Sequence, residues 1–559
     1  QDYVTDLAVD AAGNVHVTGG SRITSVGTHD DYATVKYHTS GDTDWIRRYN
    51  SPSEENAGLP DWAVDIAATD SKVYVTGNST RNKTGLDFTT IRYNADGSQR
   101  WIRHYDGESN KNDMVQAMTV DKAGHVYVTG ISQGSQSNND IATIAYDDNG
   151  NTRWIRRFEG TGFDEFASDI AVDSYGNVYV TGWTHTNSIN TSNRDYVTIK
   201  HDRNGNILWV RRYNGPGNSA DQAIAIALDA LGNVYVTGES IGNGTGTDYA
   251  TIKYSTNGTQ LWVARYNGLD NSLDNARALA VDHKGNVYVT GGSSSVGAGQ
   301  DYATIKYNTH GVQQWAAINE NGFAASNLAV DAANNVFVTG EPITVKYNAA
   351  GVQQWEITNP LEANDLAVDN EGNVYITGTS YTAETNEDYA TVKYDGNGLQ
   401  QWLMTYIGPG NWIDEASALA LDEEGNVYIT GGSTGAGTDE DFATIKYVQT
   451  INAITRTKEK PEPAELTMEQ NFRISHTPNP VVTNTNIQYV MPENGHVSII
   501  LYDVMGRQVS TLVNAAHKAG SYSINYDASR LQKGTYYFQI RANTQQKKWV
   551  QTHKMSVMR

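Results

Sequence analysis

The chain has 559 residues, more than one average domain needs, and with 38% hydrophobic residues it can bury a sizeable core. It has no cysteine, which excludes disulfides, thiolate metal sites and cysteine nucleophiles. A net charge of −22 disfavours nucleic acid and anionic membrane as partners and is compatible with divalent cations or with plain solubility.

No run approaches the ~18 apolar residues of a membrane span. No signal peptide opens at Gln1, so a leader is expected to have been removed, or the chain to be a fragment. From residue 7 onwards one phrase repeats. LAVDAAGNVHVTG (7–19) returns as IAATDSKVYVTG ending at Gly77, as TVDKAGHVYVTG (119–130) and as IAVDSYGNVYVTG (170–182). Further copies close at Gly238, Gly291, Gly340, Gly378 and Gly431, at intervals of 38 to 58 residues. That period belongs to a solenoid, a propeller or an array.

Within a unit the spacing predicts four strands. DLAVD is the first and NVYVTG the second, joined by a D-x-x-G-N turn whose Gly and Asn tolerate positive φ. A Gly/Ser/Thr/Asn-rich loop leads to the third, DYATIKY (31–37, 248–254, 301–307). A Gly-bearing turn then leads to the fourth, such as DWIRRYN (44–50). Each run is short and rich in Val, Ile, Tyr and Thr, with no sustained helical period. Small or apolar groups on both faces of DLAVD suit sheets stacked face to face. The expectation is all-β: a β-propeller of about nine four-stranded blades over 1–447. Eight units carry a fourth-strand tryptophan, Trp45, Trp101, Trp154, Trp209, Trp262, Trp315, Trp355 and Trp402, expected to pack blades together. The ninth lacks one, so closure calls on residues upstream of Gln1 or on Gln449–Arg456.

After Tyr447 the repeat stops. Residues 448–470, containing KEKPEPAEL, read as a linker that also stands where the last outer strand is needed. Residues 471–559 follow with short alternating strands: NIQYV (486–490), HVSIILYDV (496–504), SYSINY (521–526) and TYYFQIR (535–541). They predict a small antiparallel, immunoglobulin-like β-sandwich. Charge divides the same way, with 10 basic and 3 acidic residues in 471–559 against 28 and 56 in 1–447.

One acid recurs ahead of the first strand: Asp2, Asp61, Asp113, Glu165, Asp221, Asp274 and Asp414, with Phe323 and Leu361 in the two remaining units. If the first strand is innermost, these carboxylates ring one mouth of the channel, beside the variable loops. Crowded carboxylates raise one another's pKa or recruit a cation such as Ca²⁺. The plainer reading is that each caps its own turn or bonds neighbouring backbone. A second acid, Asp10, Asp121, Asp173, Asp229, Asp282, Asp331, Asp369 and Asp422, lies in the D-x-x-G-N turn and is expected to be structural. The third-strand lysine (Lys36, Lys200, Lys253, Lys306, Lys346, Lys393, Lys446) is expected to pair or stack between blades. There is no nucleophile elbow, phosphate loop or H-E-x-x-H, and no catalytic residue is assigned.

The pattern DLAVD, GNVYVTG, DYATIKY and WIRRYNG resembles the SBBP family of bacterial β-propeller repeats across essentially 1–447, which implies a propeller but no particular reaction. The tail resembles the type IX secretion C-terminal sorting domain. Its landmarks stand in order: Pro478-Asn479-Pro480, Thr485 to Tyr489, Tyr502-Asp503 with Gly506-Arg507, Gly520, Gly534 and Lys554. The resemblance implies handling by the type IX machinery through 471–559. It also implies a secreted or outer-membrane surface location in a Bacteroidota-type bacterium. The expected role is a binding or scaffold protein for an extracellular glycan, protein or matrix ligand, with Ca²⁺ the one cofactor considered. Two other readings stand. One is a secreted polysaccharide lyase or hydrolase using the mouth carboxylates; repeat symmetry counts against it, because glycosidic cleavage needs two acids in unlike environments. The other is a self-assembling structural subunit whose ninth blade accepts a neighbour's strand.

Overall fold

The computed structural model describes all residues except 1, 23–29, 52–59, 70, 81–84, 109, 135–137, 161, 187–192, 296–298, 383–385, 411, 436–439, 449–472, 478–483, 492–493, 504–506, 519, 530, 545–547 and 558–559. The described residues form strands and turns and no helix. The chain divides into two compact units, Gln1–Asn452 and Ala453–Arg559.

The first sheet sets the plan of the first unit. Strands β1 (Asp2–Val9), β2 (Val15–Arg22), β3 (Asp30–Tyr37) and β4 (Thr43–Tyr49) pair antiparallel in chain order. The turn from β1 to β2 is built by Asp10. Its Oδ1 accepts the amides of Ala12 (3.1 Å) and Asn14 (2.8 Å), while Gly13 sits at φ 77°. The matching acids at Asp173, Asp229, Asp282, Asp331 and Asp369 accept the same pair of amides, so this second acid is structural, as its turn position predicts.

Among the described residues nine such sheets follow one another, eight with four strands. The 38-residue interval marks the seventh sheet, whose second and third strands (Val336–Glu341, Ile343–Tyr347) join through Pro342 alone. The ninth has three strands among the described residues: Asp414–Leu421, Val427–Thr434 and Glu440–Tyr447. Each first strand touches the next, and Asp414–Leu421 returns to β1. The closing seam is polar as well as packed. The Tyr428 hydroxyl donates to the Gly13 carbonyl (2.9 Å) and Lys446 Nζ to the Thr39 carbonyl (2.8 Å).

Core clusters lie between successive sheets. Tyr127, Ile141, Ala145 and Trp154 of the third sheet, for example, pack on Ala167, Ile170, Val178, Val180, Val197 and Ile199 of the fourth. Burial of each such side chain stabilises the fold by roughly 1.5–3 kcal/mol. The fourth-strand tryptophan joins one sheet to the next. Trp45 lies flat on Gly97 of the second sheet, where a Cβ would come within 2.5 Å of the indole. Its Nε1 donates to the Ala95 carbonyl (3.0 Å), and Arg47 Nε donates to the Gly97 carbonyl (2.5 Å). The third-strand lysine spans the same junction. Lys253 stands over the Tyr235 ring of its own sheet (4.7 Å) and donates to the Thr309 carbonyl of the next (3.3 Å).

In the second unit, two antiparallel sheets share one core. Arg473–Thr477, Asn484–Met491 and Gly520–Asp527 form one; Gln508–His517, Gly495–Asp503, Gly534–Thr544 and Lys548–Val557 form the other. Ile487, Tyr489, Ile499, Leu501, Phe538 and Ile540 are buried between them. Of the sorting-domain landmarks, Tyr502 and Asp503 end one strand, Gly520 and Gly534 each begin one, Lys554 lies in the last strand, and Arg507 is exposed. Pro478, Asn479, Pro480 and Gly506 lie outside the described residues, as does nearly all of the 448–470 segment.

Candidate functional site

The seven acids ahead of the first strands sit at the start of those strands, and all but Asp2 are buried. At least one oxygen of each is taken up locally. Asp61 accepts the Ser51 (2.7 Å) and Thr80 (2.9 Å) amides, and Asp414 those of Gly408 (2.5 Å) and Thr434 (3.0 Å). Asp113, Asp221 and Asp274 accept the amides of Gly107, Gly215 and Gly268, while Asp2 accepts the Ser21 hydroxyl and Glu165 that of Thr184. Each carboxylate thus ties its own sheet's second strand or the incoming connector to the first strand. Burial pushes Asp61 up to about 6, and Asp31 across the junction adds to it. In the two departing units Phe323 is exposed and Leu361 buried.

Nearer the axis lies a set that the repeat pattern did not single out. The first strand carries a β-bulge, between Val4 and Asp6 in β1 and between Ala63 and Asp65 in Trp62–Thr69. The residue just past the bulge reaches the neighbouring sheet. Asp6 accepts the Ile66 amide (3.0 Å), Asp65 that of Met118 (2.8 Å), Asp169 that of Ile226 (2.9 Å) and Asp365 that of Leu419 (2.8 Å). Burial raises the pKa of all four. Asp6 and Asp65 share a hydrogen bond, and burial plus the Asp6 charge pushes Asp65 up to about 7. The seventh sheet puts an amide in this place. Asn327 Oδ1 accepts the Leu328 amide (2.7 Å), and its Nδ2 donates to Asp365 (2.9 Å).

Three further features bear on chemistry. Asp87, Asp106 and Asp113 bring one oxygen each within 4.8 Å of the others; the first and last are buried, the middle one exposed. Such a set suits a hard divalent cation, and it contains only Asp113 of the seven mouth acids. On the side of the β1–β2 type turns, Asp121, Lys122, His125, Arg153, Asp173, Tyr175 and Arg203 line an open cleft of about 640 Å³ between the third and fourth sheets. There, burial works upward on Asp121, but His125 outweighs it and holds the carboxyl below its usual range. On the opposite side, where first strands begin and fourth strands end, large apolar side chains stand exposed at the junctions of the fifth with the sixth, the sixth with the seventh and the eighth with the ninth sheets, and at the end of the eighth sheet's second strand. They are Leu269, Leu273, Phe323 (62%), Tyr381, Ile407 and Trp412 (59%). Isolated exposed apolar residues are ordinary; a run of them along one rim marks a contact surface.

Residues 153–190, 208–244, 352–383 and 404–437 match the beta-propeller repeat family, and 477–553 match the secretion system C-terminal sorting domain family. No curated protein matches the chain. Three solved structures are similar to it. A eukaryotic initiation factor is 9% identical with a TM-score of 0.43, over 72% of this chain and 88% of that one. PorZ, a surface component of the type IX secretion system of Porphyromonas gingivalis, is 14% identical with a TM-score of 0.33, over 100% and 81%. An ulvan lyase is 11% identical with a TM-score of 0.36, over 68% and 90%.

Proposed function

We propose, from the premise that this chain carries β-propeller repeats and a type IX secretion sorting domain, that it is a nine-bladed propeller serving as a binding scaffold at the cell surface or outside it. Its tail is then an immunoglobulin-like sandwich read by the export machinery. The observation that carries the binding role is the exposed apolar rim from Leu269 to Trp412, on the face where the variable second-to-third-strand loops emerge. Aromatic side chains at such a rim offer stacking platforms for sugar rings or for an extended peptide. The repeated carboxylates support the same reading, because each gives at least one oxygen to a backbone amide or hydroxyl of the scaffold itself. The test is a glycan and peptide array probed with the chain and with the Phe323→Ala/Trp412→Ala double variant. Ligands retained by the first and lost by the second support the reading; identical profiles refute it. Deleting 471–559 is expected to leave the propeller inside the outer membrane.

A second reading, a secreted polysaccharide lyase or hydrolase, is favoured by one observation. Asp6 and Asp65 are two adjoining carboxyls whose pKa values burial raises, a pairing that the mouth acids, each set in its own sheet, do not supply. Asp65→Asn would then abolish depolymerisation of whichever acidic polysaccharide the chain cleaves. If Ca²⁺ takes part in either role, Asp87, Asp106 and Asp113 are where we place it. Calorimetric titration of the chain and of Asp106→Asn with Ca²⁺ tests that assignment.

A further inference from the structure

The junction between the third and fourth sheets breaks the repeat at two facing positions. Elsewhere a third-strand lysine crosses to the next sheet: Lys36, Lys200, Lys253, Lys306 and Lys346 donate to the turn carbonyls of Ala95, Thr256, Thr309, Ala349 and Gly396 (2.7 to 3.3 Å). The third sheet has Ala145 in that place. The matching turn carbonyl, that of Arg203, accepts only Trp154 Nε1 (3.2 Å) among the described residues. The second break is Arg203 itself, since the corresponding residues of the other seven complete sheets are Thr39, Ala95, Asp148, Thr256, Thr309, Ala349 and Gly396.

The preceding junction shows what that exchange removes. There Asp148 holds the place of Arg203. Its Oδ1 accepts the Tyr74 hydroxyl (2.9 Å) and pairs with Lys72 Nζ (2.9 Å), and Arg92 Nε lies 3.7 Å away. A Cβ on Gly124 would meet Lys72 Nζ, Tyr74 Oη and Asp148 Oδ1 at 3.0 to 3.1 Å; on the equivalent Gly176 it would meet nothing nearer than 3.5 Å. Where one junction is closed by a carboxylate among cations, the next has a guanidinium and the open cleft of about 640 Å³. Lys122, Arg153 and Arg203 line it. Arg153 Nη1 donates to the Tyr127 hydroxyl (3.1 Å), and among the described residues Lys122 and Arg203 pair with no carboxylate.

The acids nearby are turned to structural work. Asp121 accepts the His125 ring and the Tyr127 hydroxyl, and Asp173 accepts Asn177 Nδ2 and the Tyr179 hydroxyl. Asp147 and Asp202 accept amides of their own turns. Three cations therefore share one cleft on a body with 28 basic and 56 acidic residues. Tyr175 lines the same cleft and is 81% exposed, a ring free to be covered. The volume lies within the roughly 300–1,000 Å³ of small-ligand clefts.

We propose that this cleft binds an acidic oligosaccharide, its uronate carboxylate held by Arg203 and Lys122, and its ring stacked on Tyr175. The carboxylate takes the part that Asp148 plays one junction earlier, and guanidinium is the group suited to bind it through two parallel hydrogen bonds. This site lies on the face opposite the apolar rim and stands whether or not the rim binds a ligand.

The probes are tetragalacturonate, tetramannuronate and tetraglucuronate, titrated calorimetrically into the full chain. Saturable binding of at least one is expected, and loss of that binding when its carboxyls are methyl-esterified. Arg203→Thr, which installs the residue of the fifth and sixth sheets, and Tyr175→Ala should each weaken it about tenfold. Both side chains are exposed, so the urea midpoints of the two variants should match the parent's. The Phe323→Ala/Trp412→Ala variant should bind as the parent does, which separates this site from the rim. Failure to bind all three acids, equal binding of the methyl ester, or affinity indifferent to both cleft substitutions overturns the proposal. So does a chain that takes tetraglutamate and refuses the sugars, since the cleft then serves an acidic peptide.

Discussion

Replacing Asp65 by asparagine should stabilise the protein at alkaline pH and leave it unchanged in acid. Asp65 accepts the Met118 amide and shares a hydrogen bond with Asp6, and its carboxyl is pushed up to about 7 from an unfolded value near 3.8. Across the window from about pH 4 to pH 7 the folded protein holds a proton that the unfolded chain has released. Stability contributed by this group is therefore present in acid and is lost as pH rises through 7. A shift of about three units at ~1.4 kcal/mol each sets an upper bound near 4 kcal/mol. Partial exposure and sharing with Asp6 reduce it to about 2 kcal/mol. Asparagine removes the ionisation while keeping an oxygen for the Met118 amide and an Nδ2–H to donate to Asp6, as Asn327 Nδ2 donates to Asp365. The assay is urea denaturation of both chains at pH 4, 5.5, 7 and 8.5, followed by tryptophan fluorescence. The variant's midpoint should coincide with the parent's at pH 4 and exceed it increasingly up to pH 8.5. A variant destabilised equally at every pH, or indistinguishable at pH 8.5, would refute the protonation argument.

Three further outcomes follow from the junctions and the rim. Gly150→Ala should cost about 3 kcal/mol, combining positive-φ strain with displacement of the Trp101 ring, whereas Gly41→Ala should cost about 1 kcal/mol from strain alone; paired denaturation curves separate the two. Asp229→Ala should cost about 2–3 kcal/mol at pH 7, because it removes the acceptor of the Leu231 and Asn233 amides and of Asn233 Nδ2. Asp229 has a depressed carboxyl pKa in spite of its burial, through Asn233 and Tyr235, so that difference should shrink below about pH 4. Trp412→Ala should shift the midpoint by less than about 0.5 kcal/mol while removing ligand binding, as expected of an exposed contact residue.

Much of this architecture is written locally. The D-x-x-G-N turn declares itself because its Asp, Gly and Asn each answer a specific backbone need, and the short run rich in Ile, Tyr and Thr in DYATIKY declares a strand. The fourth-strand tryptophans read as packing residues, but the glycine that receives seven of the eight lies 36 to 52 residues downstream, a separation at which sequence offers no cue. The axial aspartates were hidden for another reason. Asp6, Asp65, Asp169 and Asp365 occur in only four of the nine repeats, and they look like ordinary members of a strand until the bulge turns them toward the next sheet. The mouth acids were visible, but the hydrogen bonds that occupy them depend on connectors whose path the sequence does not specify.

The tryptophan-on-glycine contact has a direction. Each indole reaches forward to a turn that the chain has not yet supplied when its own sheet is complete. During vectorial emergence a finished repeat would therefore keep a large aromatic surface open until the next arrives, so that maturation lags synthesis or export by one repeat. Reversal under load would run the other way round the ring. Disassembly should start at the seam between the ninth and first sheets, where among the described residues no indole bolts the neighbours together, and proceed as a ratchet released tooth by tooth.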